Sequence, residues 1–270
     1  MNYAPDKLSS FNIPSHVEDL KRDGLTVIPN LYTKQQCADH IERLDSIAAH
    51  LTKKGVLAPS GDCRNIWNFF KYDKALLDLV YNPVADAIFK TLLDEDYVLL
   101  AGNVINRQIY GEGAAQSAYG EHWHTDSRYL GGKRLQAGFT FGFIVMLDGF
   151  SNQNGGTHFV RGTQKSLERP DQNGNYEYEV MTGDTGSAVI VDSGLWHRGG
   201  PSTHKRRWGV FSLYGPWFVK PYWRYWDMVT PEYAKDLSPE LKRLFHFDAV
   251  PPFDEEERIY TLRKNYLPKT

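Results

Sequence analysis

The sequence has little of several features that would place it in a common class of protein. Cysteine is rare: Cys37 and Cys63 are far apart and lack the spacing of a metal site, so we expect free thiols in a reducing compartment. The formal net charge is only −2, which favours neither nucleic acid nor an anionic membrane as a partner. No apolar run approaches the roughly 18 residues of a membrane span, and the first residues lack the basic and apolar regions of a signal peptide. We therefore expect a soluble, cytoplasmic protein.

Aromatic residues, by contrast, are abundant. The chain has 7 Trp, 16 Tyr and 14 Phe among 270 residues, and its hydrophobic share is 41%. This composition predicts a well-packed globular protein. The length allows one large domain or two small ones. Because the sequence contains no internal repeat and no convincing linker, we predict a single domain over residues 1–270.

Helical and strand patterns occupy different parts of the chain. Apolar residues recur at helical spacing within 15–52, where Ser15 and Thr33 are candidate caps, and within 74–93. Short β-prone runs with glycine-rich turns follow from residue 97, and helical patterns return only near 231–246 and 254–265. Strands grouped between helices favour a sandwich or barrel over alternating β/α units. We predict a mainly β protein with flanking helices, divided into N-terminal helices over about 15–93, a β core over about 97–215 and a C-terminal helical tail over about 216–270.

The segment from His122 to Asp126 carries candidate metal ligands. His124 and Asp126 are two residues apart, so in a strand both side chains would leave the same face. A third ligand at His197 would complete two imidazoles and one carboxylate and leave about three coordination positions open, which is the pattern of mononuclear non-heme iron oxygenases. A lone His-x-Asp tripeptide is more often a structural pair. Spacing also leaves a pair of His122 with His124 open.

Glycine and arginine around the later histidine strengthen the metal interpretation. Glycines near His197 would let the backbone turn close to a metal. Arg206 and Arg207 follow nine and ten residues after His197 and offer a fixed cation to an acidic co-substrate. Arg207 would share a strand face with Gly209 and Phe211. A guanidinium there could hold a carboxylate through two parallel hydrogen bonds, a geometry that lysine does not match.

Several segments together resemble the phytanoyl-CoA dioxygenase family of iron(II)- and 2-oxoglutarate-dependent oxygenases. In chain order the matching pieces are Asp23 to Val27, Trp123 to Asp126 with Tyr129, Asn154 to Thr157 leading into Val160 to Thr163, Gly186 to Asp192 ahead of His197, and Gly199-Gly200 leading to Arg207-Trp208-Gly209. The likeness spans roughly residues 15–217, and the ordered set is far more specific than any single piece. It implies a double-stranded β-helix, or cupin-like jelly roll, as the core.

The resemblance also implies the roles of particular residues. His124, Asp126 and His197 become the iron ligands, and Arg207 becomes the partner of the distal carboxylate of 2-oxoglutarate, with Thr157 as a further contact. Gln108 is a weaker candidate for the other carboxylate. Many members have the arginine eleven or twelve residues past the histidine, where this chain has Trp208 at the eleventh position, so Arg206 stays open as an alternative.

The implied reaction uses Fe(II), 2-oxoglutarate and O2, and yields succinate and an oxidised small organic molecule. Hydroxylation is the commonest outcome, while desaturation, epoxidation and ring formation are alternatives. Halogenating relatives lack the carboxylate ligand, so Asp126 argues against halogenation. The rival functions are an isomerase or hydrolase with Zn or Mn in the same barrel, and a non-catalytic jelly-roll binding module. Neither rival needs a fixed cation such as Arg207 beside the metal.

Other residues carry weaker expectations. We expect Arg128, Tyr129 and Trp196 to face the substrate because they flank ligands. The aromatic stretch 216–226 could stack on an aromatic ligand, although such a stretch more often packs a terminal segment onto the barrel. The remaining histidines are expected at the surface or hydrogen-bonded; they are His16, His40, His50, His158, His204 and His246. The oligomeric state and the identity of the substrate do not follow from the sequence.

Overall fold

Two facing antiparallel sheets form the centre of the molecule. The computed structural model describes residues 5–56, 63–107, 122–130, 132–134, 138–247 and 254–256. Numbered along the chain, its strands are β1 Leu25–Ile28, β2 Cys63–Trp67, β3 Val98–Arg107, β4 Tyr129–Leu130, β5 Lys133–Arg134, β6 Phe141–Val145, β7 His158–Val160, β8 Glu179–Val180, β9 Ala188–Asp192, β10 Trp196–Arg198 and β11 Arg207–Gly215. Within the described residues the larger sheet runs β1–β9–β6–β11–β3–β2 and the smaller one β10–β7–β8. This arrangement confirms the predicted jelly-roll core.

Helices precede and follow these sheets. The α-helices are α1 Ile13–Asp23, α2 Lys34–Lys53, α3 Pro83–Leu93, α4 Tyr225–Met228, α5 Pro231–Ala234 and α6 Pro239–Leu244. Short 3-10 helices lie at Pro5–Ser10, Phe69–Lys71, Lys74–Leu79 and Thr163–Lys165. Among the parts of the chain that the structure describes, no helix has the length and apolar character needed to cross a membrane.

Side-chain caps fix where the first helices begin. The hydroxyl of Thr33 accepts from the backbone N–H of Gln36, whose side chain accepts from the N–H of Thr33, which confirms the predicted start of α2. The expectation for α1 was wrong by three residues. Asn12, rather than Ser15, caps this helix, because its side-chain oxygen accepts from the N–H of Ser15 inside the first turn.

The six-stranded sheet buries both of its faces. Its outer face packs against the helices, where Phe89 of α3 stacks on Tyr214 of β11 with ring centroids 4.7 Å apart. Its inner face faces the smaller sheet, and a second apolar cluster there includes Ile144, Val189 and Phe159. Successive side chains of a strand leave opposite faces. Strands β1, β6, β9 and β11 therefore contribute alternate residues to two separate cores.

The strands match the sequence patterns with one notable difference. The β-prone pattern after residue 97 is interrupted at Gly102 and Asn103, but β3 runs unbroken through both residues. It is paired with β11 on one side and β2 on the other, so backbone hydrogen bonding on both edges outweighs the low strand propensity of those two residues. The glycine-rich stretch 111–120 and most of the helical pattern 254–265 lie outside the described residues. The assignment of one domain to residues 1–270 stays a prediction.

His158 departs from the expectation for the unassigned histidines. It lies on the outer face of the smaller sheet, is 4% exposed, and stacks on Tyr178 with ring centroids 4.3 Å apart. Neither ring nitrogen has a hydrogen-bond partner among the described residues. Burial, together with the nearby cations of Arg198 and Arg107, lowers the pKa of His158 to about 4. The side chain is therefore a neutral, buried ring rather than a surface or hydrogen-bonded one.

We predict that His158 makes the protein less stable in mild acid. The unfolded chain takes up a proton below its ordinary pKa of 6.5, whereas the folded protein does so only near 4, so folding stability falls as the pH decreases through this window. His158→Phe keeps the ring that stacks on Tyr178 but cannot titrate. Between pH 7 and pH 5 the variant should lose about 2 kcal/mol less free energy of unfolding than the unaltered protein. Urea unfolding at the two pH values measures this, and parallel losses would contradict it.

Candidate metal centre

Three predicted ligands come together at one point. The ligand atoms of His124, Asp126 and His197 all lie within 4.8 Å of one another. Nε2 of His197 is 3.6 Å from Oδ2 of Asp126. His197 projects from β10 toward the interior of the barrel, because Trp196 and Arg198 on either side of it take the opposite face.

A pair of backbone hydrogen bonds holds the two histidines side by side. The N–H of His124 donates to the carbonyl of His197 at 2.9 Å, and the N–H of His197 donates to the carbonyl of His124 at 3.0 Å. Such a reciprocal pair is the repeating unit of an antiparallel ladder. It brings the two imidazole centroids to 4.3 Å. The segment is otherwise irregular. A single β-bridge therefore positions His124, where the sequence pattern had suggested a whole strand.

Each imidazole is oriented by a backbone carbonyl. Nδ1 of His124 lies 2.7 Å from the carbonyl oxygen of His122, and Nδ1 of His197 lies 2.8 Å from that of Leu195. A carbonyl oxygen can only accept, so each Nδ1 carries a proton, and in the neutral ring Nε2 is then the nitrogen that keeps its lone pair. Burial, followed by the neighbouring His197 ring, lowers the pKa of His124. Neutral imidazole is the form that binds a metal.

The three ligands fit a metal ion of the first transition series. Nitrogen and oxygen ligands bind such ions at about 2.0–2.2 Å, so neighbouring donors in an octahedral shell are about 3 Å apart. The 3.6 Å between Asp126 and His197 needs only a small approach to reach this spacing. Two neutral nitrogens and one carboxylate also suit Fe(II) and leave the remaining positions open.

His122 does not join the group. Its side chain is exposed, and it is not among the His, Cys, Asp and Glu side chains of the described residues that converge here. Its contribution is the backbone carbonyl that orients His124. The structure therefore favours the pair of His124 with Asp126 over the alternative pair of two histidines.

The two adjacent arginines face opposite sides of the large sheet. Arg206 is exposed and its Nη2 is 3.4 Å from Oδ2 of Asp45 on α2. Trp208 leaves the same outer side and donates from Nε1 to Asp45 at 3.0 Å. Arg207 between them is only 3% exposed and points inward. The side chain that shares the barrel interior with the ligand group is thus that of Arg207.

Arg207 is anchored by the turn that carries Thr157. Its Nε donates to the carbonyl of Asn154 at 2.8 Å, and Nη2 donates to the carbonyl of Gly155. Its guanidinium carbon lies 3.6 Å from the ring centroid of Phe150, within the range of a cation–π contact. Gly209 makes room for this arrangement, since a Cβ there would lie 2.7 Å from the Phe150 ring and 3.2 Å from Nη1 of Arg207.

One interior cavity connects the ligands with other predicted residues. Its volume is about 160 Å³, and it is bordered by Asp126, His197 and Thr157, as well as by Phe211 of β11. Arg207 does not border it, because its guanidinium is drawn onto Phe150 and the two carbonyls. Gln108 directly follows β3 and lies outside the described residues.

Some residues of the cavity were not found from the sequence, and one expectation was wrong. Trp67 and Asn103 also border the cavity, but they come from distant segments without a recognisable motif. Tyr222 borders it too and belongs to the aromatic stretch 216–226, for which ligand stacking was only one of two expectations. Trp196 was expected to face the substrate. It instead lies on the outer face of the smaller sheet, where its ring centroid is 5.2 Å from that of Tyr176. Being next to a ligand in a strand places a side chain on the opposite face.

Tyr129 and Arg128 also flank a ligand. The hydroxyl of Tyr129 is 2.8 Å from that of Thr125, and the guanidinium carbon of Arg169 lies 4.1 Å from the centroid of the Tyr129 ring. Both ends of the Tyr129 side chain therefore contact neighbouring residues. Arg128 instead reaches across to Tyr222, a residue that borders the cavity. Of the two, Arg128 is the one beside the cavity.

A cupin-like barrel that presents two imidazoles and a carboxylate to one point is the architecture of mononuclear non-heme iron enzymes. Comparison with protein families agrees with the site: residues 20–208 match phytanoyl-CoA dioxygenase (PhyH), and the chain belongs to this family. The protein is accordingly a 2-oxoglutarate-dependent non-heme iron dioxygenase that uses Fe(II), 2-oxoglutarate and O2.

Individual relatives are distant. The chain is 24% identical over 245 residues to dioxygenase af480 from Aspergillus fumigatus, an alignment that covers 87% of this chain and 77% of that protein. HygX from Streptomyces hygroscopicus, solved with nickel, 2-oxoglutarate and hygromycin B, has a TM-score of 0.60 at 15% identity and covers 81% of this chain and 93% of its own. The epimerase SnoN, solved with Fe3+, alpha ketoglutarate and nogalamycin RO, has a TM-score of 0.57 at 15% identity, covering 77% and 86%. These structures share the fold.

We predict that metal binding depends on His124 and His197 but not on His122. His124→Ala or His197→Ala removes a donor nitrogen and should weaken Mn(II) binding by about 100-fold or more. His122→Ala keeps the backbone carbonyl that orients His124 and should bind Mn(II) almost normally. Calorimetric titration of the three variants measures the difference. Equal weakening by His122→Ala would contradict the assignment.

Proposed function

We propose that His124, Asp126 and His197 bind one Fe(II), and that the enzyme uses 2-oxoglutarate and O2 to oxidise a small organic molecule, in the simplest case by hydroxylation. The observation that carries this proposal is the convergence of the three ligands on a cavity that Thr157 also borders. Arg207, buried inside the same barrel, is proposed to pair with the distal carboxylate of 2-oxoglutarate.

The protein's own residues have separable tasks in this reaction. When bound, the iron and its co-substrate supply the activation of O2. The carbonyl contacts of the two imidazoles would keep each Nε2 directed at a bound metal, and Asp126 would offset part of the charge of that metal. Ile144, Met181 and Phe211 form an apolar part of the cavity wall.

Arg207 is suited to a dicarboxylate because its position is fixed before binding. A guanidinium has five N–H donors, and the bonds to Asn154 and Gly155 use two of them in setting its plane. A carboxylate that meets a guanidinium edge can accept two parallel hydrogen bonds. Thr157, three residues after Asn154, offers a hydroxyl for the same ligand. Gln108 stays in the proposal as a contact of the other carboxylate on the family resemblance alone.

The reaction type follows from the carboxylate ligand. Asp126 takes the position that halogenating relatives leave to a halide, so the product should carry oxygen, a new double bond or a new ring, and no halogen. Two proteins of similar fold were solved with the organic molecules nogalamycin RO and hygromycin B, which supports a small organic substrate such as a natural-product intermediate.

Succinate formation tests the proposed function. The purified protein with Fe(II), 2-oxoglutarate and O2 should release succinate slowly by itself and faster when a substrate is supplied. Products made in chloride buffer are analysed by mass spectrometry. Iron-independent hydrolysis or isomerisation with Zn(II) or Mn(II), without succinate, would favour the rival metal enzyme, and a chlorinated product would contradict the reaction type.

We predict that Arg207→Lys weakens 2-oxoglutarate binding whereas Arg206→Lys does not. Lysine keeps the charge but cannot hold the two carbonyls and present a planar edge to the carboxylate, so the loss should be about 1.5–3 kcal/mol, seen as a rise of KM for 2-oxoglutarate by about 10- to 150-fold. Arg206→Lys is the matched control, because Arg206 pairs with Asp45 on the outside of the sheet.

The measurement is the rate of succinate formation against 2-oxoglutarate concentration for both variants. If KM rises for Arg206→Lys and stays normal for Arg207→Lys, the assignment is displaced by one residue. If neither variant changes KM, the distal carboxylate binds elsewhere.

A further inference from the structure

The cavity beside the ligands extends to a group of aromatic side chains. Trp67, at the end of β2, and Tyr222, in the C-terminal segment, border the same cavity as Asp126 and His197. Trp223 braces Trp67, with ring centroids 5.8 Å apart. We call these three side chains, Trp67, Tyr222 and Trp223, the aromatic rim.

The size of the cavity makes the aromatic rim relevant to the substrate. Its 160 Å³ is similar to the roughly 150 Å³ of an engineered cavity that holds one benzene molecule. Sites for drug-sized ligands are larger, about 300–1,000 Å³. With 2-oxoglutarate in the cavity, little of this volume is left, so we expect part of an organic substrate to extend toward the surface while the rest reaches the ligands. Trp67 and Tyr222 of the aromatic rim border the cavity, and Tyr222 is exposed, so the rim lies on such a path.

Exposure of the C-terminal segment supports a binding role. Among the described residues, the large hydrophobic side chains that remain exposed include four within seven positions, namely Trp217, Phe218, Tyr222 and Trp223. Exposed aromatic side chains that gather in one short segment are a candidate interaction site. Tyr225 in the same segment is fully buried. The segment therefore packs onto the barrel through residues other than these four exposed ones.

Arg128 adds one cation at this place. It lies two residues after Asp126, and its Nη2 donates to the hydroxyl of Tyr222 at 2.7 Å. Its guanidinium carbon is also 5.0 Å from the centroid of the Tyr222 ring. These two contacts hold the partly solvated guanidinium of Arg128 next to the Tyr222 ring and close in sequence to the candidate metal ligand Asp126.

We propose that the aromatic rim and Arg128 select a substrate with a flat, largely apolar ring system that carries a carboxylate or similar oxyanion. The ring lies against Trp67 and Tyr222, and the oxyanion pairs with Arg128. The inference deepens the proposed oxidation, on which it rests for the reaction, but binding of such a molecule can be measured without turnover.

Calorimetry with three naphthalene probes tests the proposal. The probes are 2-naphthoate, 2-naphthamide and 2-naphthylmethylammonium, titrated into the full chain with Mn(II) and saturating 2-oxoglutarate. Saturating 2-oxoglutarate prevents the naphthoate carboxylate from entering the co-substrate position. We expect naphthoate to bind best and the ammonium probe worst. Loss of naphthoate binding when 2-oxoglutarate is added, or preference for the ammonium probe, overturns the proposal.

Variants assign the binding to particular side chains. Tyr222→Ala and Trp67→Leu should each weaken naphthoate binding about tenfold, the scale of a lost aromatic contact. Tyr72→Ala is the matched control, because Tyr72 is 39% exposed against 46% for Tyr222 but lies elsewhere on the surface. Tyr222→Phe keeps the ring and should retain most of the affinity for naphthamide. Retained affinity in this variant shows that the loss in Tyr222→Ala comes from the missing ring and not from misfolding.

Arg128→Gln tests the charge separately. It should abolish the preference for naphthoate over naphthamide while leaving naphthamide binding unchanged. Unaltered binding in Tyr222→Ala and Trp67→Leu, or an equal loss in Tyr72→Ala, overturns the assignment of the aromatic rim. Uncoupled succinate formation is recorded in parallel. If succinate forms but naphthoate does not bind, this inference alone is refuted. If naphthoate binds but no succinate forms, the proposed oxidation alone is refuted.

Discussion

The reciprocal backbone hydrogen bonds between His124 and His197 are the constraint on which the site depends. They join an irregular segment to β10 and so fix the distance between two imidazoles that are far apart in the chain. Because both Nδ1 atoms face carbonyl oxygens of nearby residues, the same local backbone also fixes which nitrogen meets the metal. Asp126, two residues further on, then needs only a short turn to reach the same point.

A second constraint acts through the alternation of β11. Arg206 and Trp208 leave the outer side and both contact Asp45 of α2, which fixes the register of the strand against the helix. Arg207 must then point inward. A shift of one residue would exchange the faces, placing Trp208 inside and Arg207 at the helix. The helical layer therefore determines which of the two adjacent arginines points into the barrel interior.

Much of the fold and the convergence of the three candidate ligands could be predicted from the sequence, because the signals are local. The two-residue spacing of His124 and Asp126 and the cap at Thr33 are such signals. The choice between Arg206 and Arg207 could not be made, since it depends on the length of a turn and on a contact with distant Asp45. Trp67 was missed for a similar reason, and Tyr222 was recognised only as part of the aromatic stretch 216–226. Both β2 and the C-terminal segment meet the cavity only in three dimensions.

The C-terminal segment explains why a run of aromatic residues gave an ambiguous prediction. Packing and ligand stacking were treated as alternatives, yet the segment has both buried aromatic residues and exposed ones, so the two roles can fall at different positions. Tyr225 is buried against Phe70 and Phe245, and the N–H of Tyr222 donates to the carbonyl of Leu100 on β3 at 2.9 Å. These contacts fix the backbone, and Arg128 contacts the exposed ring of Tyr222, so a ligand at this ring would meet a side chain that is already positioned. Buried aromatics in this segment thus pre-organise the exposed ones beside the cavity.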